Sequence, residues 1–132
     1  MILVDTNVLL DVVTDDPVWK PWSLAQLEAA AASDRLAINE VVFAELSVKY
    51  SRIEDVEKLI DDADLIVERT PRGALFLAGQ TYQSYRKSGG QRTGVLPDFF
   101  IGAHAAVAGV ALLTRDSRRY RTYFPRVKLL AP

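Results

Sequence analysis

The stretch Met1-Ile2-Leu3-Val4-Asp5-Thr6-Asn7 decides the architecture: a short apolar run that stops at a carboxylate, a hydroxyl and an amide. Apolar residues at consecutive rather than alternate positions mark a strand buried on both faces, as in a parallel sheet covered by helices. The polar triplet then falls just past the strand's carboxyl end, where open α/β sheets bind their ligands. Val8–Val13 reads as a short helix behind it, with Thr6 or Asn7 as the N-cap.

Outward from that segment the same alternation repeats. Asp15-Asp16-Pro17 breaks the first helix, Trp22–Ala32 is helical by composition, and Leu36-Ala37-Ile38 is a second strand. Asn39 caps a helix over Glu40–Tyr50, Ile53–Asp62 is helical, and Leu65-Ile66-Val67 is a third buried strand. Arg72–Lys87 forms a long helix closed by Ser88-Gly89-Gly90, and Gly90–Gly94 is a polar loop. Pro97, at the first helical position, opens Asp98–Ala108; Gly109 ends that helix. Val110–Leu113 is a fourth strand and Val127–Leu130 a fifth. Strands separated by helices predict right-handed crossovers and a three-layer α/β/α fold around a mainly parallel sheet of four to five strands.

At 132 residues, 49% hydrophobic and 25% charged, the chain has the size and balance of one globular domain over residues 1–132. Its longest apolar run, Phe99–Leu113, is interrupted by Gly102, His104 and Gly109 and is too short for a bilayer core of about 30 Å. No basic segment precedes an apolar one at the start, so no signal peptide and a cytoplasmic location are expected. Cysteine is absent and His104 is the single histidine. Disulfides, thiolate nucleophiles and Cys- or His-rich metal sites are therefore excluded, and a Ser-His-Asp reading is weakened.

The net charge of −1 conceals a division. Residues 1–85 carry seven Lys/Arg against fifteen Asp/Glu, a net of −8, and residues 86–132 carry nine against two, a net of +7. The basic part suits an anionic partner such as nucleic acid, or else forms a solvated helical face.

Three acids from separate segments are expected at the ligand-binding edge of the sheet. Asp5 follows the first strand, and Asp116, in Thr114-Arg115-Asp116, follows the fourth. Asp98 stands in the first turn of the helix feeding the fourth strand, where the positive helix end favours an ionised acid. Glu45 has Val41, Val42 and Val48 three or four residues away, so it projects from a mostly apolar helix face. The alternative for Glu45 is pairing with Lys49 on a half-exposed face. Converging carboxylates about 4 Å apart repel by roughly 4 kcal/mol at an effective dielectric of about 20. Either some stay protonated or a divalent cation sits among them. Oxygen-only donors point to Mg²⁺ or Mn²⁺. A cation-filled acidic pocket beside a basic segment suits phosphodiester hydrolysis.

Asp5-Thr6-Asn7 after the first strand, the isolated Glu45, Pro97-Asp98-Phe99-Phe100-Ile101, Thr114-Arg115-Asp116 and Tyr123-Phe124-Pro125 before a last strand form an ordered set. In order and spacing, over the whole chain, they resemble the PIN-domain nucleases, and among these the VapC-type toxins of bacterial toxin–antitoxin modules. The resemblance implies a PIN-like fold and a Mg²⁺-dependent endoribonuclease, with Mn²⁺ as a substitute. Its acidic quartet would be Asp5, Glu45, Asp98 and Asp116, of which Asp5, Asp98 and Asp116 would bind metal. Thr6, Asn7 and Thr114 would be supporting polar groups. Its implied partners are RNA, a small cognate antitoxin protein, and a second copy in a homodimer that assembles further with the antitoxin.

Other residues have plainer readings. His104, six residues beyond Asp98, faces another side of that helix and reads as packed rather than basic in function. Asp11, Asp15 and Asp16 could supplement the acidic cluster, but Asp15-Asp16-Pro17 reads first as a turn. Trp19 and Trp22 are either a partner-binding surface or core. Arg86, Lys87 and Arg92 around the Gly-rich loop are candidate RNA contacts, and Arg115 with Arg118, Arg119 and Arg121 beside Asp116 would contact RNA or neutralise the site rather than form a neutral solvated face. The competing function is a non-catalytic RNA- or partner-binding module of the same α/β fold. A phosphate-accepting receiver fails because Glu68-Arg69-Thr70, after the third strand, offers no Asp. A haloacid-dehalogenase-type phosphatase fails because Asp5-Thr6-Asn7 supplies one carboxylate where two are needed.

Overall fold

The computed structural model describes residues 1–92 and 94–132; Thr93, in the expected Gly90–Gly94 loop, lies outside the described residues. The chain runs β1 (Ile2–Val4), α1 (Thr6–Val13), α2 (Lys20–Ser33), β2 (Leu36–Asn39), α3 (Glu40–Ser47) and α4 (Ile53–Asp62). It continues through β3 (Leu65–Glu68), α5 (Arg72–Lys87), α6 (Leu96–Ala108), β4 (Ala111–Leu113), α7 (Arg118–Tyr123) and β5 (Leu129–Leu130). All neighbouring strands pair in parallel, in the order β3-β2-β1-β4-β5. The steps from β1 to β2 to β3 move one way, and the step to β4 crosses back over both. Right-handed crossovers then place the packed α5–α6 pair on the opposite face from α1–α2, giving the three-layer α/β/α fold.

The central strands are apolar because both faces are covered: Leu3, Val4, Ile38, Leu112 and Leu113 are wholly buried. Each such side chain contributes about 1.5–3 kcal/mol. The expectation that β3 is equally buried is corrected. It is an edge strand, so Leu65 packs inward while Val67 is 45% exposed. The fifth strand is also shorter than Val127–Leu130, pairing only Leu129 and Leu130 with Leu112 and Leu113.

Helix ends follow local chemistry. Asn39 caps α3 as expected, its Oδ1 accepting from the Val42 N–H at 3.0 Å, although the helix stops at Ser47 rather than Tyr50. The cap of α1 differs: Asp5, not Thr6 or Asn7, takes the extended cap conformation, and its carboxylate makes no cap bond. The Asp15-Asp16-Pro17 turn forms, with Asp15 in the left-handed region and Asp16 Oδ1 accepting from Val18 and Trp19 N–H groups at 2.9 and 2.8 Å. That turn lets α2 begin at Lys20, two residues earlier than expected. Pro97 lies one residue inside α6, which opens at Leu96. Gly109 closes α6 with φ 67°, a conformation that glycine adopts without cost.

The element with no counterpart in the sequence reading is α7. Tyr120 and Phe124, four residues apart, are both buried, so one helical turn puts two aromatics on the core. Phe124 packs so closely on Gly102 that a Cβ there would lie 2.4 Å from its ring. Phe99 joins the cluster edge-on to Tyr123 at 5.1 Å between ring centroids. Among the described residues no helix is long and apolar enough to cross a membrane.

Candidate active site

The strand order reverses between β1 and β4, and in open α/β sheets the crevice beyond the carboxyl ends at such a point is where ligands bind. Asp5 leaves β1 and Thr114 leaves β4 at that point, and the Asp5 N–H bonds the Leu113 carbonyl at 2.8 Å. Asp5 is 4% exposed. Thr114 Oγ1 donates to Asp5 Oδ2 at 2.8 Å, and the Tyr120 hydroxyl donates to the same oxygen at 3.0 Å. Asn7 Nδ2 lies 3.4 Å from that oxygen and 3.5 Å from Thr114 Oγ1. The α1 cap differs from expectation for this reason: the Asp5 carboxylate is held across the crevice, away from its own helix.

Glu45 reaches the same place from α3. It is half-buried, and Thr6 Oγ1 donates to its Oε1 at 2.6 Å, a bond across the crevice rather than the alternative pairing with Lys49. Asp98, in the first turn of α6, is partly buried and ion-paired with Arg119 Nη1 from α7. Asp116 is exposed at the rim, its backbone N–H bonded to Thr114 Oγ1 at 3.1 Å.

These acids feel one another. Burial pushes the Asp5 carboxyl up to about 7; Thr114 and Tyr120 oppose the rise, and the charges of Asp98 and Glu45 add to it. Glu45 is raised by burial and by Asp98, against its Thr6 bond. Asp98 is raised by burial and by Asp116, although Arg119 pulls the other way. Burial foremost, then the surrounding acids, also lifts the Tyr120 phenol far above its ordinary value, so it acts here as a neutral donor.

The remaining candidates separate. Arg115 does not project freely: its Nε bonds Asp11 Oδ2 at 2.8 Å, and its guanidinium lies 5.4 Å from the Trp19 ring centre. Asp11, 2% exposed, also accepts from Ser23 Oγ at 2.7 Å, so it is a structural anion between α1 and α2. Arg86, Lys87 and Arg92 are all exposed around the α5–α6 connection, the Arg92 N–H resting on the Tyr85 hydroxyl at 3.1 Å. His104 is buried, its Nδ1 3.2 Å from Asn39 Nδ2, and the acids that act on it are Glu40 and Glu68 rather than the four candidates.

The family model of the PIN domain matches residues 2–125. The chain belongs to the PIN domain family. This PIN domain shares its fold with VapBC2 from Rickettsia felis bound to a promoter DNA fragment. The TM-score is 0.73 at 21% identity, over 99% of this chain and 98% of that one. A toxin–antitoxin complex from Klebsiella pneumoniae superposes with TM-score 0.70 at 20% identity, over 96% of this chain and 95% of that one. VapBC-1 from nontypeable Haemophilus influenzae gives 0.70 at 19%, over 99% and 98%. Among curated protein sequences none matches.

Two residues of the PIN domain site escaped the sequence reading. Tyr120 is not singled out there, and Arg119 is read only within a basic cluster that contacts RNA or neutralises the site. The four-residue spacing of Tyr120 and Phe124 is the signal for the helix, whereas the inward turn of Arg119 is shown only by its ion pair with Asp98. The donor chemistry of Asp5, Glu45, Asp98 and Asp116 is hard oxygen throughout, and burial and neighbouring acids raise the first three, which fits a divalent cation. Among the described residues no three acidic or histidine side chains are grouped to hold an ion as they stand. Thr6, Thr114, Tyr120 and Arg119 hold their oxygens instead.

Proposed function

We propose that this chain, read as one nuclease domain over residues 1–132, is a Mg²⁺- or Mn²⁺-dependent endoribonuclease and the toxin of a toxin–antitoxin module. The observation that carries the reading is Asp5. A carboxyl buried at the switch point of the sheet, raised to about 7 by burial and by two further acids, stays ionised more readily when a cation lies beside it. Asp5, Asp98 and Asp116 would hold the metal, with Glu45 completing the acidic quartet. A bound divalent cation supplies an activated water and neutralises charge at the reacting phosphate. Thr114 and Tyr120 fix the Asp5 oxygen, Thr6 fixes Glu45, and Asn7 spans Asp5 and Thr114. The basic surface of Arg86, Lys87 and Arg92 draws RNA to this edge, and Arg115 braces the loop carrying Asp116.

The toxin reading is supported by the fold shared with proteins described as VapBC or toxin–antitoxin complexes. It brings a small antitoxin protein as partner, a homodimer within the larger complex, and a cytoplasmic location. The test is cleavage of structured RNA by the purified protein with Mg²⁺ or Mn²⁺. Activity is expected to stop in EDTA and to be lost in Asp98→Asn while the far-ultraviolet circular dichroism is unchanged. Full cleavage in excess chelator, or by Asp98→Asn, overturns the assignment.

A further inference from the structure

Among the described residues two ion pairs are shielded from solvent, Arg115–Asp11 and Arg119–Asp98; the others lie at the surface. The first braces a loop. The second brings a cation into the acidic crevice: Arg119 is 18% exposed and Asp98 28%. Its neighbours on α7, Arg118 and Arg121, are exposed, so the helix turns one arginine inward and two outward. The ion pair with Asp98 marks that choice.

The inward guanidinium is the positive charge that the chain itself supplies to its acids. We propose that Arg119 is the internal counter-ion of the carboxylate site and competes with a divalent cation for Asp98, so that the cation binds by displacing it. The proposal rests on the metal-dependent reading above. Space for the displaced side chain is at hand. Arg119 borders a cavity of about 430 Å³ with Arg92 and Val95, and another of about 330 Å³ with Asp116, Arg118 and Thr122. Moving off Asp98 therefore leaves the guanidinium beside the site, next to Arg92 and Arg118. The device explains how several acids share one edge of a small fold: part of the charge is offset before any ion arrives, at the cost of weaker ion binding.

The test is calorimetric titration of the intact chain with Mn²⁺, for wild type, Arg119→Gln and Arg118→Gln. Losing a charge-assisted hydrogen bond to Asp98 makes Arg119→Gln bind about tenfold more tightly or better. Arg118→Gln removes the same charge from the same helix without touching Asp98, and its affinity changes by less than about threefold. In parallel, nitrogen-15 spectra of the arginine side chains follow wild type through a Mg²⁺ titration. The Arg119 resonance, assigned by its loss in Arg119→Lys, moves to a solvent-exposed position with the midpoint of ion binding. This arm stands even where the Gln variant fails to fold. Equal Mn²⁺ affinity in wild type and Arg119→Gln, equal gains in both Gln variants, or an Arg119 signal unmoved at saturating Mg²⁺ overturns the competition and leaves the metal reading intact. Absence of Mn²⁺ binding in all three proteins overturns both.

Discussion

Replacing Asp5 by Asn removes one buried charge while keeping the outline of the side chain. Thr114 Oγ1 and the Tyr120 hydroxyl both donate to Asp5 Oδ2, so the carboxamide oxygen takes that place and the NH₂ turns toward the negative field of Glu45 and Asp98. The sign of the effect follows from a carboxyl raised from 3.8 to about 7. The unfolded chain gives up this proton near its ordinary value, and the folded chain keeps it, so wild type loses stability as pH rises between the two values and levels off above. At 1.36 kcal/mol per unit the loss reaches about 4 kcal/mol. Asn carries no such loss. In EDTA, Asp5→Asn is expected to exceed wild type by about 4 kcal/mol above about pH 7 and by under about 1 kcal/mol near pH 4. In thermal melts the gain amounts to roughly 10 °C or more at the higher pH. His104, whose pKa burial lowers, contributes the opposite slope in acid but is common to both proteins and cancels. Urea unfolding of the two proteins across this pH range is the assay. Equal midpoints at about pH 8, or a less stable variant there, would refute the assignment of Asp5 as a strained, buried charge.

Saturating Mg²⁺ should raise the melting temperature of wild type more at about pH 8 than at about pH 5, because Asp5 must release its proton to bind an ion; a pH-independent gain contradicts this. Arg115→Ala leaves Asp11 buried without its cation and should cost about 3–5 kcal/mol in urea unfolding, whereas Arg118→Ala should cost almost nothing. Replacing Arg86, Lys87 and Arg92 together with Ala should weaken RNA binding and flatten the log–log salt dependence by roughly two units. Identical slopes leave the α5–α6 connection without an RNA role. Gly102→Val should destabilise by about 1–3 kcal/mol or more, since Phe124 occupies the space a side chain needs.

The parallel sheet was legible because burial on both faces writes itself as consecutive apolar residues, as at Ile2-Leu3-Val4 and Leu112-Leu113. Asp5 was legible for the same reason: an acid directly after such a strand lands at the sheet's carboxyl edge. Glu45 stood out as an acid on an apolar helix face. What was not legible depends on neighbours distant in sequence. A strand does not encode its own place in the sheet, so the edge position of β3 and the exposure of Val67 came only with the pairing. Arg115 reads as one more basic residue until Asp11 and Trp19 are seen beside it. The six-residue α7 carries too little periodicity to declare itself, and with it Tyr120 and Arg119 were missed as members of the site.

The two hydroxyls that hold Asp5 come from Thr114 and Tyr120, 109 and 115 residues further along the chain. Asp5 therefore leaves the ribosome well before its holders. Strand β1 likewise waits for β4 before it gains its second neighbour. At about 5–20 residues per second, synthesis leaves several seconds in which the acid exists without the groups that position it. Until those residues are made Asp5 lacks both holders, so the order of the chain is also the order in which the site is assembled.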